Sequence, residues 1–397
     1  MSEKIAIIGA GILGLSLAYK IQLIKPNSKV IVFEKEDTVG KHQSGRNSGV
    51  LHCGLYYEPN SLKANLAVSG IRQMTEFCKR NKIQHDICGK VVVATDDEEV
   101  KYLENLGKRG NANGLKGLKY LSKKELYLRE PNVVAKKSLI VPEEGIVDYK
   151  AVMNKLSEII INKGGDIILS SQINKIENSK NKIIINCNNN EYVIDLLLNC
   201  TGLFSDRNFK KYLNKKSPVK IIPFRGEYFK LKKDYNHLVN DLIYPVPNPR
   251  YPFLGVHFTR MINGDREVGP NAVLAFKREG YSNKDFSIND SFDTLTYPGL
   301  FKFVNSNFNF CLNELKSSFF SKYFIEKAKK MIPDINSNMF VKGNSGVRAQ
   351  GMDSNGKLLM DFNIIKENNQ IHILNAPSPG ATASLSIADY IIKNNIN

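Results

Sequence analysis

The sequence predicts an α/β fold with an α+β part, in which a mainly parallel sheet is joined to a largely antiparallel one. Three observations point there. A short apolar run, a glycine turn and a helix-period stretch open the chain. Another strand, turn and helix pattern closes it near residues 371–392. Between them, from Pro218 to about Lys316, short β-like runs alternate with Pro, Gly and Asn turns. At 397 residues, the chain is long enough for two or three structural units.

Ile5 to Ile8 suits a central parallel strand, buried on both faces. Gly9-Ala10-Gly11-Ile12-Leu13-Gly14 follows, matching G-x-G-x-x-G. Leu17, Ile21 and Ile24 then recur at helical spacing. A second run, Val30 to Phe33, ends at Glu34, twenty residues after Gly14. Gly9 permits the tight turn, Gly11 lets backbone approach a pyrophosphate, and Gly14 lets helix and strand pack closely. The helix N-terminus attracts phosphate. Glu34 is placed to accept hydrogen bonds from adenosine ribose hydroxyls. Together these parts predict a Rossmann-like dinucleotide site.

FAD and NAD share this fingerprint, so the next segment decides. Lys41 to Tyr57 reads KHQSGRNSGVLHCGLYY. Ser44, Gly45, Asn47, Ser48 and Gly49 offer hydroxyls, an amide and accessible backbone N–H groups, an inventory that suits a flavin dinucleotide. His52, Tyr56 and Tyr57 would emerge near the ring's reactive edge. Farther on, 151–161 has helical period, and 166–169, 182–186 and 192–195 read as strands. Leu196 to Gly202 reads as a buried strand ending at a turn, where Thr201 and Gly202 allow close approach to the cofactor. Ile243–Pro249 and Pro252–Phe258 are β-like. Residues 301–331 read as helical, with 305–309 a poor stretch. Ile371 to Leu374 is a strand, followed by a turn and a helix from about Ala381 to Ile392 whose start, at Gly380, Ala381 and Thr382, would point N–H groups at the flavin.

The motif series resembles the D-amino-acid-oxidase/glycerol-3-phosphate-dehydrogenase superfamily of flavoproteins, and within it the L-2-hydroxyglutarate oxidases/dehydrogenases. It includes G-A-G-I-L-G-L-S, F-E-K-E, H-Q-S-G-R-N-S-G-V-L-H-C-G-L-Y-Y, S-L-K-A-N-L-A-V-S-G, C-G-K-V-V-V-A-T, N-C-T-G-L-F-S-D-R, P-F-R-G-E-Y, L-G-V-H-F-T-R, G-V-R-A-Q and S-P-G-A-T-A-S-L-S-I-A, in order along essentially the whole chain. The resemblance implies an FAD-binding domain formed by residues 1–82, 145–215 and 340–397, and a substrate domain formed by 83–144 and 216–339. It implies noncovalent FAD, with His52 or Cys53 as the conceivable tethers otherwise, and contacts from Lys35 beside Glu34.

A 2-hydroxy acid is oxidised by removing the hydroxyl proton and passing the C2 hydrogen as hydride to flavin N5. The site needs a base, a cation for the carboxylate and a dry apolar wall. The resemblance points to His257 or His52 as the base; His85, His237 and His372 read as surface or core residues, and His42, in the flavin segment, as satisfying backbone groups. Arg348, in GVRAQ, fits a carboxylate bidentately. Arg260, Arg225, Lys277, Tyr56 and Tyr57 are candidates for a second anchor on a dicarboxylate. Electrons would pass to oxygen or a quinone. An amine oxidase acting on an N-methyl or D-amino acid is the alternative on the same fold.

Composition adds limits. The net charge of +17 suits nucleic acid, an anionic membrane surface or an acidic small molecule. No basic run interleaves with stacking aromatics, so nucleic acid is not expected; most of the charge reads as solvated surface, with peripheral membrane contact next. The six cysteines are widely spaced without C-x-x-C or a Cys/His cluster, so neither metal nor disulfides are expected and a reducing, cytoplasmic setting fits. Ile5 to Ile24 resembles a signal anchor only superficially, because Gly9, Gly11, Gly14 and Lys20 interrupt it.

Overall fold

The structure is a computed structural model that describes residues 2–173, 175–179, 181–247 and 255–396. Its first sheet runs Asn363–Glu367, Gln370–Asn375, Leu196–Asn199, Lys4–Ile8, Lys29–Phe33, Asp166–Ile168. All neighbours are parallel except the edge hairpin 363–375. Side chains of alternate residues leave the sheet on opposite faces. Ile5, Ile7, Val30, Val32 and Leu198 accordingly pack with the helices Ile12–Ile24, Tyr149–Asn162 and Ser384–Ile391. Ala6, Ile8, Ile31, Phe33 and Leu197 pack instead on the three-stranded meander 175–194, through Ile183, Ile185 and Ile194. Both faces are covered, which is why these strands are continuously apolar.

The second sheet has nine strands among the described residues. Its spine is Lys220–Leu231 paired antiparallel with Phe340–Met352. Lys90–Ala94, Lys119–Leu121 and Lys137–Val141 join it through Leu242–Pro245, which pairs parallel with Lys90–Ala94. Val91, Val93, Phe258 and Val268 from this sheet pack with Phe324, Ile325, Ala328 and Ile332.

Three expectations need correction. Strand Phe340–Met352 belongs to this second sheet, not to the nucleotide-binding part, because its thirteen residues form the ladder with Lys220–Leu231. Residues 301–331 are not one helix but Pro298–Ser306, Phe308–Phe319 and Ser321–Lys329, broken at Asn307 and at Phe320, whose backbone is extended. The last helix starts at Ser384 rather than Ala381, after a turn. Of the β-like runs 243–249 and 252–258, residues 248–254 lie outside the described residues, and the observed strands are Leu242–Pro245 and His257–Arg260.

A Cβ on Gly14 would fall 2.0 Å from the Gly9 carbonyl oxygen, whereas one on Gly164 meets nothing within 4 Å and bears only the strain of φ +81°. Gly14→Ala is therefore expected to destabilise by about 1–3 kcal/mol through overpacking. Gly164→Ala should cost about 1–2 kcal/mol, the left-handed penalty alone. Thermal melts of the two variants check the order: Gly14→Ala melts lower and releases cofactor first.

Candidate active site

A cavity of about 1120 Å³ lies between the two sheets, larger than a pocket for an ordinary small ligand. Glu34 and Lys35 line one end. The Gly9–Gly14 turn, Ser44, Asn47, Ser48, Thr201 and Gly202 line its middle, and Gly380, Ala381 and Thr382 close one side. Gly9 has φ +103°, and a Cβ there would come 2.6 Å from the Cys200 carbonyl oxygen. A Cβ on Gly11 would meet only Ser44 Oγ, at 3.1 Å, and would otherwise project into the cavity. This glycine keeps a cradle clear for a ligand. Ser44 Oγ accepts from the Ile12 N–H at 3.0 Å, which orders the turn beside the helix start.

Glu34 is buried; one carboxylate oxygen accepts the Ala10 N–H at 2.8 Å and the other the Glu36 N–H at 3.0 Å. Its position is thus fixed by the turn, and it lines the cavity. Asn47 holds the loop from within, donating to the Ser44 carbonyl at 2.7 Å and accepting the Gly49 N–H at 2.9 Å. Gly49 itself is not in the cavity wall, contrary to expectation. It has φ +68°, and a Cβ there would come 2.9 Å from the Val147 carbonyl oxygen, so its part is a backbone one. Thr382 Oγ1 is shared among Tyr149, the Val50 carbonyl and the His52 N–H, fastening the strand that carries His52. A cavity of this size, lined by a glycine turn, a helix start and a buried acid, fits FAD.

At the other end His257 lines the cavity, 5% exposed. Its ring stacks on Tyr244, with centroids 3.9 Å apart and planes at 19°. Nδ1 lies 2.9 Å from the Gly255 carbonyl oxygen. A carbonyl only accepts, so Nδ1 carries the hydrogen and Nε2 the lone pair. Burial holds this imidazole down to about 3, helped by His52, Arg348 and Lys90 against the Gly255 bond. It is neutral at physiological pH. Arg348 lines the same end, from the strand opposite Phe224, and bonds the Tyr228 hydroxyl, which also bonds Ser48. A Cβ on Gly226 would come 3.2 Å from Arg348 Nη2, so this glycine makes room for the guanidinium.

Behind the wall is a buried ion pair that the sequence did not single out. Lys90 Nζ is 2.7 Å from Glu144 Oε2, both side chains at or below 1% exposure. His52 Nδ1 lies 3.4 Å from the same oxygen, while the Cys53 N–H and Sγ both donate to Oε1 at 3.3 Å. Burial alone would raise the Glu144 carboxyl, but Lys90 and His52 hold it down to about 2. Lys90 Nζ also stands 4.4 Å over the Tyr56 ring and 4.9 Å over Tyr244. The Cys53 thiol, buried beside Glu144, is pushed well above its usual range and does not line the cavity, which makes it a poor nucleophilic tether.

The structure brings together His257, His52, Arg348, Tyr56 and Tyr57, which all line the cavity. Three proposed anchors are elsewhere. Arg260 is paired with Asp86 and Asp241. Arg225 is buried against Glu227, the Ser282 carbonyl and Asn283. Lys277 is exposed and outside the wall. In their place stands Lys63, which lines the cavity beside Tyr57; its Nζ is 4.6 Å over that ring and donates to the Met360 carbonyl at 3.0 Å. Burial lowers Lys63 to about 8. The only signal for Lys63 was its place in S-L-K-A-N-L, beside the cap residue Ser61. For Lys90 it was a charge at the head of an apolar strand.

His42 contacts side chains rather than backbone: Tyr281 Oη at 2.5 Å and Glu36 and Glu279 at 3.0 Å each. The ligand atoms of His42, Glu36 and Glu279 lie within 4.8 Å of one another. Lys35 and Lys41 already lie against the two carboxylates, so the cluster reads as a clasp rather than a metal site.

The profile of the FAD dependent oxidoreductase family matches residues 4–393. The L-2-hydroxyglutarate dehydrogenase of Indibacter alkaliphilus is 46% identical over 387 residues, covering 98% of this chain and 97% of that protein. The Escherichia coli K12 protein of the same name is 40% identical, covering 97% and 91%. Among solved structures, the L-α-glycerophosphate oxidase of Mycoplasma pneumoniae with FAD bound superposes with a TM-score of 0.77 at 21% identity, over 99% of this chain and 94% of that one. Glycine oxidase from Geobacillus kaustophilus gives 0.71 at 14%, over 99% and 94%. At these identities the two structures speak for the fold.

The depressed His257 has a pH signature. A group whose folded pKa lies below its unfolded value contributes stability fully above the unfolded pKa and loses it as pH falls toward the folded one. Between pH 6.5 and about 3 the native protein should therefore lose stability more steeply than His257→Asn, by up to about 1.4 kcal/mol per pH unit. Denaturant midpoints of both proteins at several pH values in that window check this; parallel curves count against a buried neutral imidazole.

Proposed function

The chain belongs to the FAD dependent oxidoreductase family, and on that premise we propose that it oxidises L-2-hydroxyglutarate to 2-oxoglutarate, with FAD as its cofactor. The observation that carries the chemistry is the presence, in one cavity wall, of the Arg348 guanidinium and the bare Nε2 of His257.

Bound FAD supplies the two-electron acceptor for the C2 hydrogen. Gly9, Gly11, Gly14, Glu34, Lys35, Ser44, Asn47, Ser48, Thr201, Gly202, Gly380, Ala381 and Thr382 are the residues that would hold it. Arg348 binds the carboxylate next to C2 through its planar fork, steadied by Tyr228. Lys63, beside Tyr57, receives the far carboxylate. His257 Nε2 takes the hydroxyl proton. In the ligand-free site burial and neighbouring cations keep this base weak; a dianion offsets those cations and raises its basicity as it enters. The imidazole is thus a better proton acceptor with substrate present than without it. His52, on Glu144, is a positioning residue in this scheme. Tyr244, stacked flat on His257, with Tyr56 and Tyr57 supplies the apolar wall that keeps water out.

Oxygen or a quinone takes up the electrons afterwards, and the protein works in the cytoplasm with a peripheral contact to an anionic membrane surface. Support for that contact is the net charge of +17. Among the described residues no helix is long and apolar enough to cross a membrane.

Anaerobic titration of the yellow protein is the test. L-2-hydroxyglutarate should bleach the flavin in stoichiometric amounts, and Arg348→Lys should lower kcat/KM by about a hundredfold, near 3 kcal/mol. Bleaching by sarcosine or D-amino acids, with colour persisting in the hydroxy acid, would instead favour amine oxidation.

A further inference from the structure

On the helices Ile288–Leu295 and Phe308–Phe319 the usual polarity of surface helices is reversed. Helix Phe308–Phe319 buries only Ser317. Its Phe308, Leu312, Leu315 and Phe319 stand 61%, 38%, 45% and 69% exposed, spaced as one helical stripe. Ile288, Phe292 and Leu295 make a second exposed stripe on Ile288–Leu295, a helix that instead buries Asp290, Ser291 and Thr294. The two helices are linked through Pro298–Ser306, which packs on both and exposes Phe301. Among the described residues, every exposed phenylalanine falls between 276 and 320. A core helix would place such residues inward, and a merely solvated one would not carry them. A contiguous apolar face of this kind marks an interaction surface.

The charges nearby decide what covers it. Each acid of the stretch is already engaged. Glu279 pairs with Lys35, Asp285 accepts the Tyr281 and Ser282 N–H groups, and Asp290 and Asp293 hold Arg207. Glu314 holds Lys327 and accepts the Ala272 N–H. Lys277, Lys284, Lys302, Lys316 and Lys322 form no ion pair among the described residues. The stretch therefore presents aromatic groups together with ammonium groups that no carboxylate neutralises, on a chain carrying +17 overall. A second copy seated here would set lysines against lysines. A bilayer surface with anionic headgroups accepts both features, rings between acyl chains and ammonium groups at the phosphates.

We propose that the face formed by Ile288–Leu295, Pro298–Ser306 and Phe308–Phe319 is the surface by which this protein lies on an anionic lipid bilayer. This rests on the peripheral contact proposed above and gives it a location. The face is continuous with the cavity rim. Lys302 Nζ donates to the Ser354 carbonyl and to Asn355, and five residues on Met360, 52% exposed, lines the cavity. Loop 353–361 thereby joins the lipid-facing helices to the mouth.

Flotation of the FAD-loaded protein on vesicles is the test, with vesicles of equal parts phosphatidylcholine and phosphatidylglycerol, or of phosphatidylcholine alone. The native protein should float with the anionic vesicles and remain mostly at the bottom with the neutral ones. Phe292→Ser/Phe308→Ser/Phe319→Ser should float about tenfold less, while keeping its melting temperature and its bleaching by L-2-hydroxyglutarate. Native protein that stays at the bottom in both, or a triple variant that floats as well as native, overturns the proposal. So does a native dimer, seen by sedimentation, that the triple variant breaks without any lipid binding. Flotation reads the surface and bleaching reads the chemistry, so failure of one is not mistaken for failure of the other.

Discussion

The arrangement of the reactive end depends on the buried Lys90–Glu144 pair. Lys90 belongs to the nine-stranded sheet and Glu144 to the turn before Gly145–Val147, which pairs with Val50–Leu51. Two charges taken out of water are tolerated only when each has its partner, and removing one costs about 3–5 kcal/mol. That condition fixes a strand of the second sheet against the segment carrying His52, Cys53 and the tyrosine pair. It also sets an ammonium group between the Tyr56 and Tyr244 rings. Tyr244 in turn carries the His257 ring. Pair, rings and imidazole form one continuous stack.

The dinucleotide end obeys a different constraint, that of space. Gly14 allows the first helix to touch the turn, Gly11 leaves the cradle clear, and Glu34 is drawn in by two backbone N–H groups. The two ends meet along residues 44–52, where Ser44 caps the helix start and the His52 N–H rests on Thr382. The cradle at the glycine turn and the placement of His52 are therefore coupled through a short length of chain.

Much of this was legible beforehand, for physical reasons. Strand period and glycine spacing are local, so Ile5–Ile8, the turn and Val30–Phe33 could be read directly. The tethering of His257 and Arg348 to one cavity required the family resemblance, since they lie 91 residues apart and on different strands. Lys90 and Glu144 were missed because a charge in sequence looks solvated until its partner, 54 positions away, is known. Arg260 misled for the converse reason, since its acids Asp86 and Asp241 are distant in sequence, whereas Arg225 had a local signal in Glu227, two residues along the same strand face. The break at Phe320 was not expected, whereas the polar stretch near Asn307 did signal the other. The pairing of Phe340–Met352 with Lys220–Leu231 is long-range and leaves no mark in either segment.

The dependence of the reactive end on the buried pair can be measured by a double-mutant cycle on the anaerobic rate of flavin reduction, using Lys90→Met, Glu144→Gln and the two together. The account predicts that each single change slows reduction and that the pair is non-additive, with a coupling of about 1 kcal/mol or more. Effects that simply add, or rates indifferent to all three changes, would contradict it.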